Sequence, residues 1–300
     1  MARLIACAGF LLLLLAAPAR GQDLEPRRWT HLPNDLHVVG VGIGATQGDV
    51  LFDPVLQIED AEMELATLGL GYVHSFDFHG KSARLDVSLP YSTGRWSGLL
   101  EGQPASTRRR GFLDPRVRLS VLLYGGEAMD AKTFAETERS DTVIGAALSF
   151  NIPLGDYRGD RLINLSQNRW VIRPQAGITH QRGKWTFELT GSVFFYDSND
   201  DFFGESVLEN DPLWAAQVHA IYSFRPGVWA AIGFAHGTGA DATVDGEAKD
   251  SQVENQLLSI SAGFPLPGRQ SLKFSWLNSE TQIRQGSKLD TLAVAWSFFY

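Results

Sequence analysis

Apolar and polar residues alternate with a period of two along most of this chain. Val39, Val41, Ile43 and Ala45 share one face of a segment whose other face carries Gly40, Gly42 and Gly44. Leu68, Leu70, Tyr72 and Phe76 alternate with Gly69, Gly71 and Ser75, and Ala83, Leu85, Val87 and Leu89 with Arg84, Asp86 and Ser88. The pattern recurs over 117–123, 144–150, 170–179, 185–193, 214–224, 228–237, 258–264 and 272–276. It finishes on Leu292, Val294, Trp296, Phe298 and Tyr300, the terminal residue. Successive side chains of a strand point to opposite faces, so each segment predicts a strand with one greasy and one mild face. Twelve strands are expected, with ten and fourteen as the alternatives.

Segments of about ten alternating residues separated by turn signals are the pattern of a transmembrane antiparallel β-barrel, here an all-β meander. Closure is required because an unpaired backbone group costs several kcal/mol in hydrocarbon. A soluble sandwich or lipocalin-like barrel would have to hide the aromatic face of nearly every strand in one core. The joints at 79–81, 182–184, 225–227 and 267–270 are short. Those at 47–62, 90–114, 154–168, 197–212, 239–254 and 283–289 are longer. Short turns face the periplasm and long loops the outside, so the first strand runs outward and the terminus is periplasmic. Residues 125–141 break this parity, and their middle, 128–138, suits a short helix. Residues 93–102, with Trp96, Leu99 and Leu100, suit an extra strand or a hairpin rising above the membrane.

The N-terminus reads differently. Arg3, an apolar run over 4–17 and Ala17-Pro18-Ala19 form a signal peptide over residues 1–21, cleaved after Ala19 or Gly21. The run is shorter than the roughly 20 residues needed to span. Cys7 lies inside it, so the mature chain carries no thiol. Residues 22–35, polar with Pro26 and Pro33, read as a flexible periplasmic lead-in. That leaves 36–300 as an outer-membrane β-barrel. The formal charge is -8, and this net acidity argues against nucleic acid as a partner.

The inward face supplies the candidate chemistry. Arg84 and Asp86 lie on one strand, Arg116 and Arg118 on its expected neighbour, and opposing cross-strand side chains sit about 5 Å apart. Arg173 and Glu188 lie further round, with Arg169, Gln175, Gln217 and His219. A ring of fixed positive charge attracts carboxylates or phenolates and slows cations. The competing reading is a structural Arg–Asp network filling a small lumen. Trp170, Trp185, Trp214, Trp229, Trp276, Trp296 and Tyr300 fall mostly near strand ends, where an interfacial aromatic girdle is expected. The acidic run Asp197, Asn199, Asp200, Asp201 and Glu205 lacks the glycine of an EF-hand, because Phe202 stands in its place, and reads as a solvated loop. No GxSxG, HExxH or phosphate-binding glycine loop is present. His74 and Ser75 point to opposite faces, so no nucleophile–base pair is apparent.

Several motifs occur in a fixed order. The first are Gly80-Lys81-Ser82-Ala83-Arg84-Leu85-Asp86-Val87 with Leu89-Pro90-Tyr91, then Gly111-Phe112-Leu113-Asp114-Pro115-Arg116-Val117-Arg118. Pro153-Leu154-Gly155-Asp156-Tyr157, Arg161-Leu162-Ile163-Asn164-Leu165 and Asn168-Arg169-Trp170 follow, then Asp211-Pro212-Leu213, Gln217-Val218-His219 and Val244-Asp245-Gly246. None is chemically specific alone, but in this order, over nearly the whole mature chain, they resemble the outer-membrane family of MetA-pathway phenol-degradation transporters. The resemblance implies a barrel moving small, often aromatic, compounds across the outer membrane.

The expected function is a channel in the outer membrane of a Gram-negative bacterium for passive or facilitated diffusion of small organic compounds. The alternatives are a plugged barrel with a structural or surface-interaction role and a membrane-embedded hydrolase. The expected partners are the lipid bilayer, a small-molecule solute, and the barrel-assembly machinery acting through the C-terminal strand. No cofactor, metal or enzymatic activity is expected.

Overall fold

The computed structural model describes residues 24–51, 58–249, 251–281 and 286–300. The expected signal peptide and its cleavage points lie outside these residues. The strands are β1 His37–Leu51, β2 Ile58–Phe78, β3 Lys81–Leu100, β4 Gln103–Phe112 and β5 Arg116–Tyr124, followed by helix α1 Ala131–Glu136. Next come β6 Thr142–Asn151, β7 Val171–Arg182, β8 Trp185–Tyr196, β9 Asn199–Phe202, β10 Ser206–Asn210 and β11 Leu213–Arg225. β12 Val228–Gly239, β13 Ala242–Val244, β14 Glu247–Lys249, β15 Val253–Leu266, β16 Gln270–Thr281 and β17 Gly286–Phe299 complete the chain.

Neighbouring long strands pair antiparallel all the way round, and β1 closes on β17 in register from Val38↔Phe299 to Leu51↔Gly286. β4 and β5 occupy one wall position between them, since both pair with β3: β4 with 91–100 and β5 with 83–88. The barrel therefore has twelve wall positions. The break falls where β3 carries Pro90, which has no N–H to donate; the Pro90 carbonyl still accepts from the Leu113 amide at 3.0 Å. Pro115 opens β5, a position where proline costs no ladder bond.

The outer face is apolar. Ile43, Leu68, Leu70, Leu119, Leu148, Leu189, Ile232, Ile260, Phe274 and Leu292 are all exposed there. An exposed band of this kind is stable only in lipid. No helix among the described residues is long and apolar enough to cross a membrane; the crossing is made by strands.

Of the two readings of 90–114, the long loop gives way to the hairpin, since β3 and β4 continue and turn at Glu101-Gly102. Two further expectations change. Parts of 197–212 and 239–254 fold as β9, β10, β13 and β14, a separate four-stranded sheet above the barrel. Residues 24–35 are not a flexible lead-in. They run up inside the barrel, where Leu24, Arg28, Trp29, His31 and Leu32 are buried. Polarity and two prolines made this segment look solvated, but its polar groups face the equally polar interior of the wall. The long 125–141 joint does contain the short helix, α1, capped by Asp130, whose carboxylate accepts from the Thr133 amide at 2.8 Å.

Candidate functional site

Alternation puts every second side chain of each strand into the lumen, and antiparallel register then decides which of them meet. Asp86 and Arg118 are direct cross-strand partners on β3 and β5. Arg84 Nε donates to Asp86 Oδ2 at 3.0 Å, and Arg118 Nη1 lies 3.6 Å from the same oxygen. Arg118 also donates through Nε to Gln175 Oε1 on β7 at 3.0 Å. Arg84, Asp86 and Arg118 thus come together, as their spacing predicted. Arg116 stands one step away, opposite Ser88 and Asn151.

Arg173 and Glu188 belong to a second grouping. Arg173 lies 4.3 Å from the centroid of the Phe194 ring. Glu188 is buried and accepts from the Thr179 hydroxyl and from the backbone amide of Arg27. A carboxylate buried this deeply requires such donors.

The N-terminal segment joins the two groupings. Trp29 is 1% exposed, and its indole N–H donates to Thr190 Oγ1 at 2.7 Å. The Arg118 guanidinium sits 5.2 Å from its ring centroid, and Trp29 packs with Leu122, Val143 and Ala147. Two inward glycines make room: a Cβ on Gly145 or Gly177 would fall 2.4 or 2.1 Å from the indole. Arg28 reaches Gln175 and Glu25, and Lys273 on β16 lies 3.8 Å from Glu25. Arg27 stacks 5.4 Å from the Trp229 ring. One short segment therefore touches the wall from β5 through β8 to β16. Lower down, His31 Nε2 is 2.8 Å from the Glu127 carbonyl and the His31 ring meets Phe134 of α1 edge-on at 4.9 Å. The Ser75 hydroxyl donates to the Pro33 carbonyl, and the Asn34 amide donates to the Met129 carbonyl at 2.7 Å.

Above this segment the lumen turns apolar. Met63, Leu65, Trp96, Leu113, Leu165 and Leu289 form one buried group, and Val171, Phe194, Leu213, Ala240 and Val253 another. The 152–170 connection is drawn inward by Asp114, which accepts from the Gly155 amide at 3.1 Å, the Ser166 hydroxyl at 2.6 Å and the Gln167 amide at 2.9 Å. Asp156 in turn pairs with Phe112, its amide donating at 2.7 Å to the Phe112 carbonyl. Gly111 takes a positive φ of 157° there, and a Cβ would strike Asp156. Motifs separated by some forty residues in sequence thus form one joint.

Trp170, Trp185, Trp214 and Tyr300 are exposed on the outer wall, and Trp276 and Trp296 are half-buried on it. Trp229 is a correction. It points inward, 2% exposed, between Arg27 and Lys273, where Gly263 leaves space for its ring. Sequence reasoning missed Glu25, Arg27, Arg28 and Trp29 because they precede the alternating region. The available signal was a tryptophan directly after two arginines in a segment that is otherwise mostly polar.

These features define a twelve-stranded transmembrane barrel of the outer-membrane type whose lumen is filled from its own N-terminus. The family model described as "Putative MetA-pathway of phenol degradation" matches residues 43–294, and the chain belongs to that family. Its fold is that of the COG4313 outer membrane channel from Pseudomonas putida F1, with a TM-score of 0.75 and 21% identity over 93% of this chain and 100% of that one. The beta domain of the Bordetella autotransporter Brka aligns with a TM-score of 0.52 and 10% identity over 89% of this chain and 100% of that one. The Pseudomonas putida toluene transporter TodX gives 0.47 and 10% identity over 88% and 89%. No curated protein matches the sequence.

Proposed function

We propose that this protein is an outer-membrane channel through which small organic molecules, aromatic or otherwise hydrophobic, diffuse passively or with facilitation, and that residues 24–35 are its closure. One observation carries the reading: the outer half of the lumen is lined by the two apolar groups around Trp96 and Phe194. The lumen of a barrel that passes water and ions is polar. Apolar side chains facing inward at the mouth give a hydrophobic solute a place to partition, and the N-terminal segment below them blocks free flow of water.

Arg84, Asp86, Arg116, Arg118, Arg173 and Glu188 have two parts in this scheme. With the segment in place Arg118 and Glu188 hold it, through Trp29, Gln175 and Arg27, and Arg84 and Asp86 hold Arg118. With the segment displaced they present fixed charge, and the arginines favour anions. β17 is the segment offered to the barrel-assembly machinery, since it carries the terminal aromatics and the closing ladder. A hydrolase lacks support here, because the Ser75 hydroxyl is committed to a backbone carbonyl inside the barrel while His74 stacks on His37, 4.4 Å away.

The test compares residues 22–300 with a variant lacking residues 24–35, both refolded into liposomes. Flux of a small aromatic solute is expected to rise on deletion more than flux of a sugar of similar size. Equal fluxes for the two proteins would mean a plugged structural barrel. In the deleted form, Arg116→Ala with Arg118→Ala is expected to lower anion preference; an unmoved reversal potential would remove these residues from selectivity.

A further inference from the structure

The outer wall from β16 through β17, β1, β2 and β3 to β4 carries side chains in direct cross-strand register. One row reads Arg108, Arg95, Glu64, Gln47, Asp290, Asn278. The next row toward the membrane centre reads Arg110, Thr93, Ala66, Ala45, Leu292, Trp276. Below it lie Tyr91, Leu68, Ile43 and Phe274. The wall is dished here: two adjoining hollows of about 810 and 850 Å³ open on it, the outer bordered by Arg95 and Arg108, the inner apolar. The lining they share combines the small side chains Ala45, Ala66 and Thr93 with Leu292 and Trp276 beside them, and the small ones leave the hollow.

The outer hollow is bordered by two guanidinium groups, Arg95 and Arg108, and two carboxylates, Glu64 and Asp290. Arg95 and Arg108 stand directly opposite each other, an arrangement that destabilises a ladder unless an anion intervenes. Arg110 is the next outward residue on β4. All three are exposed. Among the described residues, no ion pair or side-chain hydrogen bond engages their guanidinium groups, although Glu64 stands opposite Arg95. Asp290, at the far side, is occupied by Trp276 Nε1 at 3.1 Å and Asn278 Nδ2 at 3.2 Å.

We propose that this wall is a docking site for one anionic lipid of the outer leaflet, a phosphate-bearing, multiply acylated glycolipid. Its phosphate sits on Arg95, Arg108 and Arg110, where guanidinium forks match phosphate oxygens. Its acyl chains lie in the apolar hollow over Ala45 and Ala66. The level of the arginines fits, since they stand at the upper edge of the apolar band on the side of the long loops, where outer-leaflet headgroups lie. The inference rests on the membrane placement of the barrel and not on transport.

The test uses the full mature chain, refolded in detergent and titrated in native mass spectrometry with a bisphosphorylated lipid A. The same titration is run with its dephosphorylated form, a zwitterionic phospholipid and inorganic phosphate. Retention of one lipid A, with weaker retention of the dephosphorylated and zwitterionic lipids, is expected. Arg95→Gln with Arg108→Gln and Arg110→Gln should weaken binding on the order of a hundredfold, each arginine near an anionic headgroup contributing roughly a factor of five. Ala66→Trp fills the hollow, keeps the arginines and should also weaken binding. Arg182→Gln with Arg225→Gln, exposed at the ends of β7 and β11 beside the short turns of the opposite rim, should leave it unchanged. Heat-modifiable migration on gels establishes that each variant is folded. Equal binding by the triple variant, equal retention of the zwitterionic lipid, or full competition by inorganic phosphate would overturn the proposal.

Discussion

The indole N–H of Trp29 donates to the Thr190 hydroxyl at 2.7 Å, tying a residue ahead of the first strand to the middle of β8. Trp29→Ala removes that bond, the packing on Leu122 and Val143, and the ring facing Arg118. Loss of a buried tryptophan costs about 3–5 kcal/mol. Here that loss falls on docking of the segment, because the barrel ladder is complete without it. Single-channel recordings should show longer and larger openings with the same heat-modifiable barrel.

Gly145→Ala reaches the same state from the other side. Its Cβ would fall 2.4 Å from the Trp29 ring, and the other nearest atoms are also side-chain atoms of Trp29 and Leu122. The indole must move while the strand stays. Conductance should rise as in Trp29→Ala, and the double variant should add little. Additive effects would mean that the two residues act separately.

Acid should loosen the lower end of the segment. Burial, the largest influence, holds the His31 imidazole below its ordinary value of 6.5, and Arg139 acts in the same direction, against the hydrogen bond to the Glu127 carbonyl. The undocked histidine therefore takes up a proton more readily than the docked one. The contribution of His31 to docking is full above 6.5 and falls as the pH drops through that value toward the docked pKa. Protection factors of the amides within 31–35, corrected for the intrinsic pH dependence of exchange, should fall between pH 7 and pH 5, and His31→Phe should flatten that dependence. An unchanged profile in His31→Phe would assign the effect elsewhere.

Asp114→Ala should free the outer connection without unzipping the barrel. Its carboxylate accepts three bonds from residues 155–167, and hydrogen bonds to a charged acceptor are worth about 1.5–3 kcal/mol each. Hydrogen exchange at Gly155 and Gln167 should quicken by at least tenfold, with β6 and β7 unaffected.

Removing residues 298–300 should prevent closure. Tyr300 and His37 exchange backbone bonds of 3.0 and 3.1 Å, and Phe298 and Phe299 pair with Val39 and Val38. The truncated chain is expected to fail the heat-modifiability assay at yields that fold the full chain.

Strand number, inward and outward faces, and the pairing of Asp86 with Arg118 were legible because all follow from a period of two and short antiparallel joints. The β3–β4 hairpin was less legible. Tyr91, Thr93 and Arg95 alternate with Ser92, Gly94 and Trp96, a strand pattern in a stretch that also has the polarity of a loop. Trp229 was misplaced because nearness to a strand end says nothing about which face a residue takes.

Alternation along the chain determined the barrel itself: which side chains meet lipid, which line the lumen, and that the two ends must meet. Local sequence suffices there, because backbone pairing and the hydrocarbon solvent leave one solution. Only the tertiary structure decided that the lumen is filled by residues 24–35, that Asp114 folds the outer connection inward, and that Arg95, Arg108 and Arg110 gather over a floor of alanines. The first two join positions far apart in sequence, fixed by shape and charge across the closed barrel, and no periodicity encodes them; the third depends on which strands close beside the β3–β4 hairpin.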